Sequence, residues 1–172
     1  MRQTDRDHEF RRFVVERSAA LLRLAYLLSG DAAAAEDVLQ TALIRTYLRW
    51  GRIASNPEAY VRRVVVTVAA DERRRPYRRR EVTAERVVDT ADPAEPFGSA
   101  EVSGRLRDAL RSLPPGQRTA VVLRHWIGLE PAEAAELMGC SPENVRSQTA
   151  RGLDKLRAAY ADESGSPVEL GR

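Results

Sequence analysis

An all-α fold, with two small helical domains joined by a flexible acidic linker, is what these 172 residues predict. Three observations carry that expectation. Apolar residues recur at spacings of three, four and seven through most of the chain, as on one face of a helix. Gly, Pro, Ser and Asp punctuate those runs where helices stop and restart. Residues 81–100 lose the pattern: Pro93, Pro96 and Gly98 interrupt them, and Glu85, Asp89, Asp92 and Glu95 make them acidic. The expected division is therefore 8–80 and 101–160 as domains, 81–100 as linker and 161–172 as tail.

The first helix spans 8–28, with Phe10, Phe13, Val14, Ala20, Leu21, Leu24, Ala25 and Leu28 at helical spacing. Ser29-Gly30-Asp31 stops it, and Asp31 is placed to cap a second helix that runs to about Trp50. Ala35, Val38, Leu39, Ala42, Leu43, Thr46 and Trp50 lie near one face of that helix. Gly51 and Asn56 bracket a loop, and Pro57 opens a third helix. Its valine run would suit a strand. The spacing of Tyr60, Val64, Thr67, Val68 and Asp71, behind a proline start, favours a helix. Helices resume near Glu101, pause at Pro114-Pro115 and continue through Arg124.

After a break at Ile127-Gly128, Glu130-Pro131 opens a helix that ends near Met138. Gly139 suits the left-handed residue that closes a helix. Ser141 and Pro142 then supply a cap and a first helical position for the next helix. Two helices so closely linked match a helix-turn-helix. The second has an apolar stripe of Val145, Thr149, Gly152, Leu153, Leu156 and Tyr160. Glu143, Arg146, Ser147 and Asp154 lie away from it, with Arg151 on the flank. An apolar back and a polar front suit either a surface helix or one laid in a DNA major groove.

Composition narrows the function. Net charge is only +3, but Lys155 is the sole lysine among 28 basic residues, and "RRRPYRRR" at 73–80 packs six arginines around one tyrosine. That exceeds what a helix end needs and favours a footprint for nucleic-acid phosphates over an acidic partner or a membrane surface. The charged N-terminus lacks the apolar core of a signal peptide, and the longest apolar run, "VVVTVAA" at 64–70, is far too short to span a bilayer. A cytoplasmic protein without membrane insertion is expected. Cys140 has no partner for a disulfide or a metal pair and reads as a small turn residue. His8 and His125 lack ligand spacing. No carboxylate pair, nucleophile–base set, phosphate loop or metal cluster stands out, so no cofactor and no catalytic chemistry are expected.

Taken in order, these segments resemble a bacterial sigma factor of the extracytoplasmic-function group. "SGDAAAAEDVLQTALIRTYLRW" at 29–50 resembles the sigma region 2 helix that docks on the RNA polymerase clamp. "PEAYVRRVVVTVAADERRR" at 57–75 resembles the segment that melts and reads the −10 element. "LRSLPPGQRTAVVLRHWIGLEPAEAAELMGCSPENVRSQTARGLDKLR" at 110–157 resembles region 4, which reads the −35 element. The Gln-Thr-Ala-Leu wording and "TYLRW" are most similar to an actinobacterial sigma-E-like subgroup.

The resemblance implies roles for particular residues. Asp37, Gln40, Thr41 and Ile44 match core-polymerase positions. Arg62, Arg63, Thr67, Arg73, Arg74 and Arg75 match the −10 segment. Ser141, Glu143, Asn144, Arg146, Ser147 and Arg151 match the −35 reader. Trp50, Tyr60 and Tyr77 are aromatic candidates for base stacking, with core packing the stronger reading for Trp50 and Tyr60. Implied partners are core polymerase, through its clamp and flap, and promoter DNA; an anti-sigma factor is compatible. The chain departs from the family at Gln40-Thr41-Ala42-Leu43, where Gln-Glu-Thr-Phe is usual. It departs again at Val66-Thr67, where Arg-Asn is usual, and the usual −10 base capture lacks its asparagine. By the same resemblance, the linker would thread toward the polymerase cleft. The competing reading is a helix-turn-helix regulator acting as a DNA-binding dimer, which leaves residues 31–50 and the arginine cluster without a shared purpose.

The linker composition predicts that limited proteolysis of dilute protein cuts first between residues 82 and 100 and leaves two helical fragments. A first cut inside either helical block would contradict the division.

Overall fold

Asp31 decides where the second helix begins. Its carboxylate accepts a hydrogen bond from the Ala34 N–H at 2.7 Å, and Gly30 before it turns the chain at φ +74°. In the computed structural model, which describes residues 3–53, 55–74 and 104–164, every regular element is helical. The described residues fall into two compact units, one within residues 1–101 and one within 102–172.

The first unit packs α1 (Gln3–Ser29), α2 (Ala32–Tyr47) and α3 (Pro57–Arg74) against one another. Leu21, Leu24, Ala25 and Leu28 of α1 meet Ala35, Val38, Leu39 and Ala42 of α2 in the core. Three details differ from the sequence expectation. First, α1 starts at Gln3 and not at residue 8. Second, α2 stops at Tyr47, and Trp50 opens a short 3₁₀ turn, Trp50–Arg52. The Trp50 ring packs on Phe10 and Phe13, with centroids 5.1 Å away in both cases. Third, the buried face of α3 is Val61, Val65, Val66, Val68 and Ala69, whereas Thr67 is exposed and Tyr60 and Val64 are half-buried. The expected stripe was therefore rotated. Its valines hid the error, because every second or third position of this segment is apolar. The β-branched run costs a few tenths of a kcal/mol per residue in a helix. Each fully buried Val returns about 1.5 kcal/mol, so packing decides for helix.

The second unit comprises α4 (Gly104–Ser112), α5 (Pro115–Val121), α6 (Pro131–Met138) and α7 (Pro142–Ser164). The expected helix through Arg124 instead widens into a π turn, Val122–Trp126, where Ile127 N–H bonds Val122 O at 3.1 Å. Arg124 donates to Leu129 O and lies 3.8 Å from Glu130, holding the following turn. Glu130 and Glu133 form a capping box at the start of α6. α7 runs to Ser164, beyond the expected boundary at 160. Arg75, Tyr77, the arginines at 78–80, the linker and residues 165–172 lie outside the described residues.

α7 crosses α5 closely at Gly152. A Cβ there would lie 2.7 Å from Val121 Cγ2 and 3.3 Å from Gln117 O. Gly152→Ala should therefore lose about 1–3 kcal/mol through overpacking, despite roughly 1 kcal/mol of helix propensity gained. Thermal unfolding followed by circular dichroism checks this; an unchanged midpoint would mean that the crossing can open at no cost.

Candidate nucleic-acid interface

The exposed front of α7 is set by the corner before it. Gly139 adopts φ 65°, ψ 40°, and both its N–H and that of Cys140 bond Ala135 O. Ser141 Oγ accepts from Asn144 N–H at 3.2 Å, and Ser141 O accepts from Val145 N–H at 3.1 Å. With that start fixed, Val145 is fully buried, and Thr149, Gly152 and Leu156 follow it into the core. Glu143, Asn144, Arg146 and Arg151 are exposed, and Ser147 is half-buried. All six −35 candidates thus sit on the cap or on the outer side of one helix.

Glu143 and Arg146 form an ion pair at 3.3 Å. The Glu143 backbone N–H first, then, against an opposing desolvation, the charge and hydrogen bond of Arg146 and the Ser141 hydroxyl hold its carboxyl below the usual range. Further along, Arg157 pairs with Asp154 at 3.0 Å. Arg151 and Lys155, one turn apart and both exposed, meet no carboxylate among the described residues. Lys155 was missed in the sequence. The signal was its place four residues after Arg151, on the same outer flank.

In the first unit, α3 turns Arg62, Arg63 and Thr67 outward together. Glu58 pairs with Arg62 and also with Arg17 of α1 at 3.5 Å, so it ties the two helices beneath that face. Thr67 donates its hydroxyl proton to Arg63 O at 2.9 Å, leaving its lone pairs outward. Arg73 and Arg74 end the same helix. Trp50, only 8% exposed, belongs to the core and is not available for stacking. Tyr60 is half-buried.

On α2, Asp37, Gln40 and Ile44 are exposed and Thr41 is half-buried. Ile44 is 56% exposed, and Leu48, one turn further, is 74% exposed. Leu48 also escaped the sequence reading; the signal was its place four residues after Ile44, on the same outward side. Polar groups beside two large uncovered aliphatics make a surface suited to a protein partner. Among the described residues no His, Cys, Asp and Glu group could hold a metal ion, and no helix is long and apolar enough to cross a membrane.

These features define a two-unit helical protein with a helix-turn-helix in the second unit and an exposed mixed polar–apolar face on α2 in the first. Residues 13–80 match the family model of sigma-70 region 2, and residues 103–156 match that of sigma-70 region 4. The chain is 40% identical over 153 residues to the RNA polymerase sigma-E factor of Streptomyces avermitilis, covering 87% of this chain and 83% of that protein. It is 32% identical over 159 residues to the ECF RNA polymerase sigma factor SigJ of Mycobacterium tuberculosis, covering 86% of this chain and 50% of that protein. The fold matches the sigma factor RpoE of Bartonella quintana, solved with the anti-sigma factor NepR, at a TM-score of 0.67 and 24% identity, over 88% of this chain and 96% of that one. The chain belongs to the extracytoplasmic-function group of the sigma-70 family of RNA polymerase sigma factors. Region 2 and region 4 in one chain leave the dimeric-regulator alternative without support.

The corner predicts its own sensitivity. Ser141→Ala should cost about 0.5–2 kcal/mol of stability, and Ser141→Asn should restore most of it. Urea unfolding of the two variants tests this; equal midpoints for Ala and Asn would deny the cap its role.

Proposed function

We propose that this chain binds bacterial core RNA polymerase and directs it to a restricted set of promoters, with no catalysis of its own, in the cytoplasm. The polymerising chemistry belongs to the core enzyme. The domain within 8–80 serves the core enzyme and the −10 element, that within 101–160 serves the −35 element, and 81–100 joins them.

The face of α2 formed by Asp37, Gln40, Thr41 and Ile44, extended by Leu48, docks on the polymerase clamp. Its aliphatics supply the buried centre and its polar groups the orientation. Arg62, Arg63 and Thr67, with Arg73, Arg74 and Arg75 at the end of α3, hold the −10 strand. Their cations track its backbone as the duplex opens. Ser141, Glu143, Asn144, Arg146, Ser147 and Arg151 form the −35 surface, in which Arg146 suits a guanine edge. The second unit also meets the polymerase flap. An anti-sigma factor covering these same faces fits their exposure in the free chain.

The observation that carries this reading is the succession of outward faces on α2, α3 and α7, each built on an apolar back that is buried. Sequencing transcripts initiated by purified core polymerase plus this protein tests the whole reading, which predicts starts at defined promoters absent with core alone. For the docking face, Asp37→Ala with Gln40→Ala, and separately Ile44→Ser with Leu48→Ser, should each weaken core binding roughly tenfold, the loss of about 1.4 kcal/mol expected for a central interface contact. Fluorescence anisotropy at unchanged far-UV helicity measures it. Full affinity in both double variants would move the docking face elsewhere.

A further inference from the structure

The exposed cations of α7 fall into two sets. Arg146 and Arg157 each carry a carboxylate three residues back, Glu143 at 3.3 Å and Asp154 at 3.0 Å. Arg151 and Lys155 carry none among the described residues. At 100° per residue the two sets lie on opposite flanks of the outer face, roughly 150° apart. A helix in a major groove has a phosphate wall on either side, so the flanks meet DNA differently.

Sequence-independent affinity comes from cations that displace counterions from phosphates. Arg151 and Lys155 can do this at any site. A neutral pair such as Glu143–Arg146 displaces few. An exposed ion pair is weak in water, so Arg146 can leave it for a base edge that offers two aligned acceptors. At a site without that edge, moving Arg146 to a phosphate would leave the Glu143 carboxylate facing the DNA's negative field. The Glu143 carboxylate lies on the outer side of the same helix turn, with its side chain 78% exposed, and stays on that face when Arg146 leaves it.

We propose that the two flanks of α7 divide the work of promoter binding: Arg151 and Lys155 supply the sequence-independent grip, and Glu143 acts as a filter that withholds the charge of Arg146 from incorrect sites. This rests on α7 being the promoter reader. Glu143 is here a specificity-determining residue acting through Arg146, and Lys155 is a further phosphate contact.

The two roles give opposite signs in one experiment. Core polymerase is assembled with the full chain, and binding is measured on promoter fragments selected with the parent protein and on the same fragments with scrambled −35 elements, at several salt concentrations. Glu143→Gln should raise binding to the scrambled fragments several-fold, change binding to the selected ones less, and steepen the salt slope by about one. Lys155→Gln should lower both bindings by a similar factor, keep their ratio, and make the slope shallower by about one. Both residues are exposed, so the fold is not at stake. An unchanged ratio with Glu143→Gln overturns the filter. So does a loss confined to the selected fragments, which would make Glu143 a direct reader of a cytosine amino group. A ratio altered by Lys155→Gln overturns the division of labour. If the parent itself does not distinguish selected from scrambled elements, the reading of α7 as promoter reader fails together with the proposal.

Discussion

The three-residue corner between α6 and α7 governs the use of everything after it. A helix that starts one residue later is rotated by about 100°. Such a slip would carry Arg146 into the fully buried place of Val145 and turn Val145 outward. Gly139 makes the reversal possible at φ 65°, and Ser141 fixes the first turn through Asn144 N–H. Two later contacts hold the same rotation. Gly152 lets α7 lie close against Gln117 and Val121 of α5. Near the far end, Arg105 of α4 stacks on the Tyr160 ring at 4.3 Å and donates to Tyr160 O at 2.9 Å. A helix pinned at its start, middle and end presents one face only, as a groove-reading element requires.

The first unit obeys the same economy with different means. Phe10, Phe13, Tyr47 and Trp50 join the start of α1 to the end of α2, with Tyr47 also donating its hydroxyl proton to Asp7 at 2.7 Å and lying beneath Arg6. Ile44 and Leu48 take no part in these ring contacts and stay exposed among the described residues. The core of α3 is all Val and Ala, small enough to let its polar side stand clear with Arg62, Arg63 and Thr67. Glu58 keeps Arg62 and Arg17 together beneath that face.

Much of this was legible in the sequence where local chemistry decides. Asp31, Pro57, Glu130, Gly139 and Ser141 mark helix ends by groups that act within three or four residues, and each did so. The front of α7 was legible because its apolar stripe is clean. The face of α3 was not: Val64, Val65, Val66 and Val68 are all apolar, and only packing against α1 and α2 selects among them. Trp50 could be read as base-stacking or core until its neighbours from α1 were in view. Leu48 and Lys155 were overlooked although each stands four residues beyond a residue already read as outward, Ile44 and Arg151. The π turn at Val122–Trp126 leaves no local mark at all, since it answers to the closure around Gly128 and Arg124.

Lys155 has a chemical consequence beyond its charge. It is the chain's only side-chain amine, just as Cys140 is its only thiol. One stands in the corner before α7 and the other on the helix flank, about 20 Å apart at 1.5 Å per helical residue. Two chemically distinct handles thus stand one before the helix and one on its outer flank. A probe on each would act as a ruler laid along the groove, reporting the tilt of the helix from within the intact chain without a single substitution.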